Sequence, residues 1–225
     1  MLYAIVQPIA FLGLLAAFLL GLAVRAAVQI PLAQRLLRYR VGSLLPTPRR
    51  DVDPFGAVAA ALGGTGWGKE APTPETSWRR SQAGRRAVVF AAGPAAVILL
   101  GCALLAGYRY AFPYGLLLAG RYPSDVLHGI SGPAAEQLLV SVGVGLICFG
   151  VVAFVPLPPL DGWGLLWLAI KNPSEGAQKV RYWLAERNIG VLLLLVFLIF
   201  PLTPSGPLLL MVLDLVATPL MRLVS

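Results

Sequence analysis

"QLLVSVGVGLICFGVVAFVPLPPLDGW", residues 137 to 163, decides what kind of fold this chain can have. From Gln137 to Leu160 it runs without a charged side chain, and about 20 apolar residues are enough to cross the hydrocarbon core of a bilayer as a helix. It then meets Pro156, Pro158 and Pro159, which lack the backbone N–H that a helix needs. The segment therefore predicts a membrane span, about 137–160, ending on a rigid turn that presents a single carboxylate, Asp161, followed by Gly162.

Two more stretches have the same character. "AVVFAAGPAAVILLGCALLAGY" predicts a span over about 87–108, and the N-terminal run predicts one over about 2–37. That first run has no basic n-region and no small-residue cleavage pattern, so it reads as a retained helix and not as a signal peptide. Its last part, "RAAVQIPLAQRLLRYR", is amphipathic and basic, with Pro31 as an expected kink. The whole chain is 58% hydrophobic and 12% charged, with a mean hydropathy of +0.78. Soluble domains carry about 25% charged residues. The fold class is an all-α polytopic integral membrane protein whose partner is the lipid bilayer.

The charge distribution adds orientation. Ten of the 18 Lys and Arg residues lie between Arg35 and Arg86, and four between Lys171 and Arg187. Positive residues collect in cytoplasmic loops, so 35–86 and the basic loop 171–188 are expected inside, with the N-terminus and loop 109–136 outside. The same clustering beside apolar spans argues against nucleic acid as the reason for the net charge of +8. "TSWRRSQAGRR" (76–86) reads as an interfacial anchor, with Trp78 at headgroup depth and its arginines on anionic lipid. Cys102 and Cys148 sit in apolar runs, form no metal-finger spacing and read as packing residues.

Between the spans, residues 38–53 are turn-rich because of Gly42, Pro46 and Pro48. The next apolar centre, within "DPFGAVAAALGGTGWGKEAPTPETSW", is too short to cross a membrane and predicts a re-entrant or interfacial element over 54–68. Gly63, Gly64, Gly66 and Gly68 allow irregular backbone there, and no Lys-Ser/Thr ending makes it a phosphate loop. The tail, 189–225, breaks at "PLTPSGP" and predicts a helical hairpin.

Five patterns recur in one order: "VDPFG" (52–56), "GWGK" (66–69), "AGPAA" (92–96), a third span, and "PLPPLDG" (156–162). This order resembles the site-2 protease family of intramembrane zinc metalloproteases, in its small bacterial branch without a PDZ domain. The resemblance runs from about residue 20 to 170 and involves Asp53, Pro54, Gly56, Gly66, Trp67, Lys69, Gly93, Pro94, Asp161 and Gly162. It implies a three-helix core over 1–170 and a place in a bacterial cytoplasmic membrane. In that family an H-E-x-x-H helix supplies two zinc ligands and the catalytic base, and the Asp of the D-G turn is the third ligand. Such a set leaves an open zinc position for an activated water.

This chain departs from the pattern at the decisive place, because residues 1–69 contain no histidine and no glutamate. With a short deletion before Gly42, "RAAVQ" puts Arg25 and Gln29 where the histidines would stand; an ungapped match puts Leu22 and Ala26 there. Val97 replaces the Asn that follows A-G-P in the family. The only histidine, His128, falls in the expected outer loop, across the membrane from Asp161. What the resemblance implies is a catalytically inactive pseudoprotease that needs no cofactor and holds a transmembrane client or partner protein in the old substrate groove, flanked by 54–75. The alternatives are a zinc metalloprotease using Asp161 with ligands from elsewhere, and a transporter or channel subunit. Two roles for the charged pair stay open. Arg25 and Asp161 pair with one another, or Arg25 reaches to the interface while Asp161 caps the helix that follows. Asp214, another carboxylate in an apolar run, is expected to bond a polar group in the bundle or to lie near the inner interface.

Overall fold

The computed structural model describes residues 6–38, 47–71, 82–170, 172–204 and 206–224. Trp78, most of its arginine-rich stretch, Gly42, Pro46, Lys171 and the first five residues lie outside them. The described chain is helical, with two isolated bridges and no strand. Its elements are α1 (Pro8–Leu37), α2 (Pro48–Asp51), α3 (Pro54–Gly63), α4 (Ala83–Ala111), α5 (Pro123–His128), α6 (Ala134–Ala153), α7 (Asp161–Ala169), α8 (Glu175–Arg181), α9 (Ile189–Ile199) and α10 (Leu208–Val224).

Three helices, α1, α4 and α6, are long and apolar enough to cross a membrane. They pack together as the core of the molecule. The packing follows small residues. A Cβ on Gly13 would fall against Ser141, one on Gly21 against Phe149, and one on Gly145 against Ala17. Likewise Gly101 lies against the Gly143 carbonyl, and Gly150 against the Pro94 carbonyl. In a bilayer, where lipid tails are as apolar as leucine, such close approach is what draws helices together. These contacts make α1 and α6 parallel and α4 antiparallel to both. Phe18 and Phe149 meet edge to face within this seam.

One span boundary differs from the sequence expectation. The third span stops at Ala153, because residues 154–160 form successive turns, including Phe154 N–H to the Val151 carbonyl and Leu160 N–H to the Leu157 carbonyl. The prolines end the helix sooner than the apolar run ends. The helix α1 continues through Pro31 without a break. At 30 residues it measures about 45 Å, longer than the bilayer core.

The 54–68 element is a helix with an extended return. Asp53 starts α3 by accepting the Phe55 N–H at 3.0 Å, with Pro54 at the first helical position. The chain reverses at Gly64, whose φ of +81° suits glycine. Residues 65–68 then run back alongside α3, and Gly68 bridges Val52. A Cβ on Gly56 would stand 2.0 Å from the Trp67 carbonyl oxygen, and one on Gly66 equally close to the Gly56 carbonyl oxygen. Glycine at both places lets the two limbs touch.

Two further expectations are corrected, in the basic loop and at Arg86. Residues 175–186, read from sequence as a loop, form α8 and a π-helical turn over Tyr182–Glu186. Ser174 caps α8 through the Ala177 N–H, Glu175 occupies its first turn, and Lys179 and Arg181 its last, which suits the helix dipole. The tail is two helices, but α10 packs more on α4, α5 and α6 than on α9. Arg86, expected on lipid headgroups, is only 2% exposed.

Candidate functional site

The proline turn places Asp161 at the first position of α7, level with the lower part of α1. The contacts of Gly13 with Ser141 and of Gly21 with Phe149 keep the same spacing along both helices. Continued by one turn, that register brings Arg25 level with the end of α6, where the chain turns toward Asp161. Gly162 lets the turn close: a Cβ there would lie 2.1 Å from the Phe154 carbonyl oxygen.

Arg25 and Asp161 form a two-pronged ion pair. Arg25 Nε donates to Asp161 Oδ2 at 2.7 Å, and Nη2 donates to Oδ1 at 2.7 Å. Gln29, one turn further along the same face of α1, donates from Nε2 to Oδ2 at 3.0 Å. The remaining fork of the guanidinium, Nη1, donates to the Lys69 carbonyl oxygen at 2.7 Å. Asp161 is 0% exposed, Gln29 1% and Arg25 6%. The charges are therefore desolvated but matched, which is the condition under which a buried pair is tolerated.

The capping alternative is overturned by this geometry. Leu160 is the N-cap of α7 and makes no side-chain cap bond, while both Asp161 oxygens face α1. Nor does Arg25 reach outward to the interface. Its guanidinium is held by the surrounding backbone, since a Cβ on Gly68 would stand 3.0 Å from Nη1. A Cβ on Gly93 would stand 2.7 Å from the Gln29 amide carbon, so the Gly of "AGPAA" makes room for that amide.

The other motif residues support the same place. Asp53 accepts a second bond from Trp67 Nε1 at 2.8 Å, tying the start of α3 to its return limb. Lys69 donates from its backbone N–H to the Asp51 carbonyl and from Nζ to the Arg49 carbonyl, at 3.0 and 2.7 Å. Pro94 is buried in α4, and its carbonyl faces Gly150. Beside the pair, the protein around Glu70 desolvates its carboxyl and raises it above the ordinary range. Asp161 pushes the same way, against Arg181 and Arg25.

Some expected residues lie elsewhere. His128 ends α5 and lines a cavity of about 150 Å³ with Gly63 and Leu198, at the opposite end of α3 from Asp53 and Arg25. Asp214 accepts from Ser124 N–H at 2.8 Å and from Ser124 Oγ at 2.7 Å, so it caps the start of α5 from α10. Leu22 packs at Gly68 and Ala26 is buried, and neither offers a polar group to Asp161. Val97 is buried in the core. Sequence reasoning missed the Lys69 carbonyl, because a backbone acceptor carries no residue-type signal.

A zinc ion at this place would need free donor atoms. Both oxygens of Asp161 are taken by cationic and amide N–H groups, and Arg25 is itself a cation. Among the described residues no group of three or more His, Cys, Asp or Glu converges. This donor set does not fit zinc. The 65–68 limb is buried throughout. The exposed apolar surface here belongs to α3, at Phe55 (52%) and Val58 (49%).

No protein family, no curated protein and no solved structure matches the chain.

Proposed function

We propose that this is a membrane protein of site-2-protease type that has lost its proteolytic chemistry and holds a transmembrane client or partner protein. The observation that carries the reading is the clamp itself. Two side chains one helical turn apart on α1, Arg25 and Gln29, converge on the aspartate of a P-L-D-G turn. That is the arrangement in which the family would place two histidines and an aspartate around zinc. Here the guanidinium supplies the positive charge, and neither a metal-bound water nor a glutamate base is needed for the fold. The ordered motifs support the same reading, because each glycine and Asp53 serves the packing around the clamp. The client surface is assigned to the exposed face of α3, Phe55 and Val58, which flanks the clamp through the return limb.

Metal analysis of the purified protein tests the loss of chemistry. Zinc well below one equivalent, unchanged in Asp161→Ala, is expected. Stoichiometric zinc that disappears in that variant, or cleavage of a co-expressed membrane substrate abolished by it, would overturn the reading. A photo-crosslinking residue at Val58 should trap a membrane protein, and the same residue at Leu223 on α10 should not.

A further inference from the structure

Of the 18 Lys and Arg residues, 14 belong to the two basic segments 35–86 and 171–187. The remaining four are Arg25, Arg109, Arg121 and Arg222. Arg25 is held by Asp161. The other three, separated by up to 113 positions in sequence, line one cavity of about 330 Å³ between the end of α4, the 115–121 segment and the end of α10. That volume lies at the lower end of the range for small-ligand pockets, about 300–1,000 Å³.

The cavity is positive, lined by three guanidinium groups. Among the described residues, no acidic residue lines it. At its edge the Tyr108 hydroxyl, one of the lining groups, donates to Glu136 at 2.9 Å. Arg109 gives one N–H to the Pro113 carbonyl. Among the described residues, neither the Arg121 nor the Arg222 guanidinium has a protein acceptor. The wall includes Thr218, 7% exposed, whose hydroxyl also has no partner among them. Arg109 and Arg222 sit in the last turns of their helices, where a cation is favoured in any case. Arg121 lies on no helix and gains nothing of that kind. Gly120, with φ +69° and nothing within 4 Å of a Cβ position, keeps the rim beside it open.

We propose that this cavity binds a phosphate group, held by the Arg109, Arg121 and Arg222 guanidinium groups and the Thr218 hydroxyl. Planar guanidinium forks match phosphate oxygens in pairs, and a hydroxyl adds a neutral donor. Exposed Tyr110 and Tyr114 beside the end of α4 mark the depth at which tyrosines meet lipid headgroups. The phosphate belongs to an anionic phospholipid headgroup or to a free phosphate, which share this chemistry.

The test uses the full chain in nanodiscs of phosphatidylcholine, alone or mixed with phosphatidylglycerol, with retained lipid read by native mass spectrometry. In parallel, inorganic phosphate is titrated into detergent-solubilised protein by calorimetry. The triple variant Arg109→Gln/Arg121→Gln/Arg222→Gln is compared with an equal charge loss elsewhere, Arg35→Gln/Lys179→Gln/Arg187→Gln. Arg121→Gln alone, an exposed loop change, guards against loss of folding. Retained phosphatidylglycerol falling at least about tenfold in the cavity variant only identifies the lipid source. Phosphate binding to the unaltered protein that the cavity variant loses identifies the free ion. Equal lipid loss in both triple variants, or no selective lipid and no phosphate heat in the unaltered protein, overturns the proposal.

Discussion

Arg25→Ala would leave the Asp161 carboxylate buried without its counter-charge. Removing one member of a buried ion pair costs about 3–5 kcal/mol. A drop of that order in resistance to denaturant-induced unfolding is expected, measured in detergent. Arg25→Lys keeps the charge but not the two-pronged geometry, so it should restore only part of the loss. Arg25→Met combined with Asp161→Leu removes both charges and should be much less harmful than the two single changes added together. Additive effects in that double-mutant cycle would show that the pair contributes no coupling. Gln29→Leu removes one bond to a charged acceptor, worth about 1.5–3 kcal/mol, and should be milder than Arg25→Ala in the same assay. At this scale the sequence offered the participants and left their partnership open. Arg25 and Asp161 stand out by charge in an apolar context and Gln29 by its place in the family pattern, but pairing and capping by Asp161 are equally compatible with a residue string.

At the scale of elements, the α3 return is the feature that the glycines make possible. Gly56→Ala would drive a methyl into the Trp67 carbonyl, only 2.0 Å from the Cβ position. Overpacking of this kind costs about 1–3 kcal/mol or more, and the expected readout is earlier proteolysis within 54–71 than in the unaltered protein. Asp53→Ala loses the α3 cap and the Trp67 indole bond together, and an N-cap alone is worth about 1 kcal/mol. It should shift the tryptophan emission and expose the same segment. The helical identity of 54–63 was not legible beforehand, because ten apolar residues with no polar face give no period to distinguish helix from strand. The 175–186 helix was missed for a related reason: its Lys and Arg were read as loop charge, although Ser174 and Glu175 carry an ordinary N-terminal signal.

At the scale of the whole molecule, the three long helices carry the membrane assignment. The expected orientation follows from the positive residues and has a direct test. Single cysteines replacing Trp183 and Tyr114 should react with a membrane-impermeant thiol reagent from opposite faces, Trp183→Cys from the cytoplasmic side and Tyr114→Cys from outside. Labelling of both from one face would mean that α6 does not cross between them. The bundle itself rests on close helix approach. Gly101→Leu, which would collide with Ile147 and the Gly143 carbonyl, should weaken the α4–α6 seam and lower thermal stability more than a leucine at exposed Gly107, where nothing lies within 4 Å.

The sequence by itself determined that this chain is helical, with runs long and apolar enough to cross a bilayer. Long uncharged runs can satisfy their backbone there only within a helix, and the prolines and charges between them set where each run must stop. It also supplied the carboxylate at the proline turn and showed that no histidine stands before residue 70. Tertiary structure decided what that carboxylate does. Arg25 and Asp161 are 136 positions apart, and only the parallel packing of α1 on α6 brings them to one level. Tertiary structure likewise gathered Arg109, Arg121 and Arg222 around a single cavity. Residue types and spacing report the periodicity of one helix, whereas a site built from several helices depends on which faces pack and in which register.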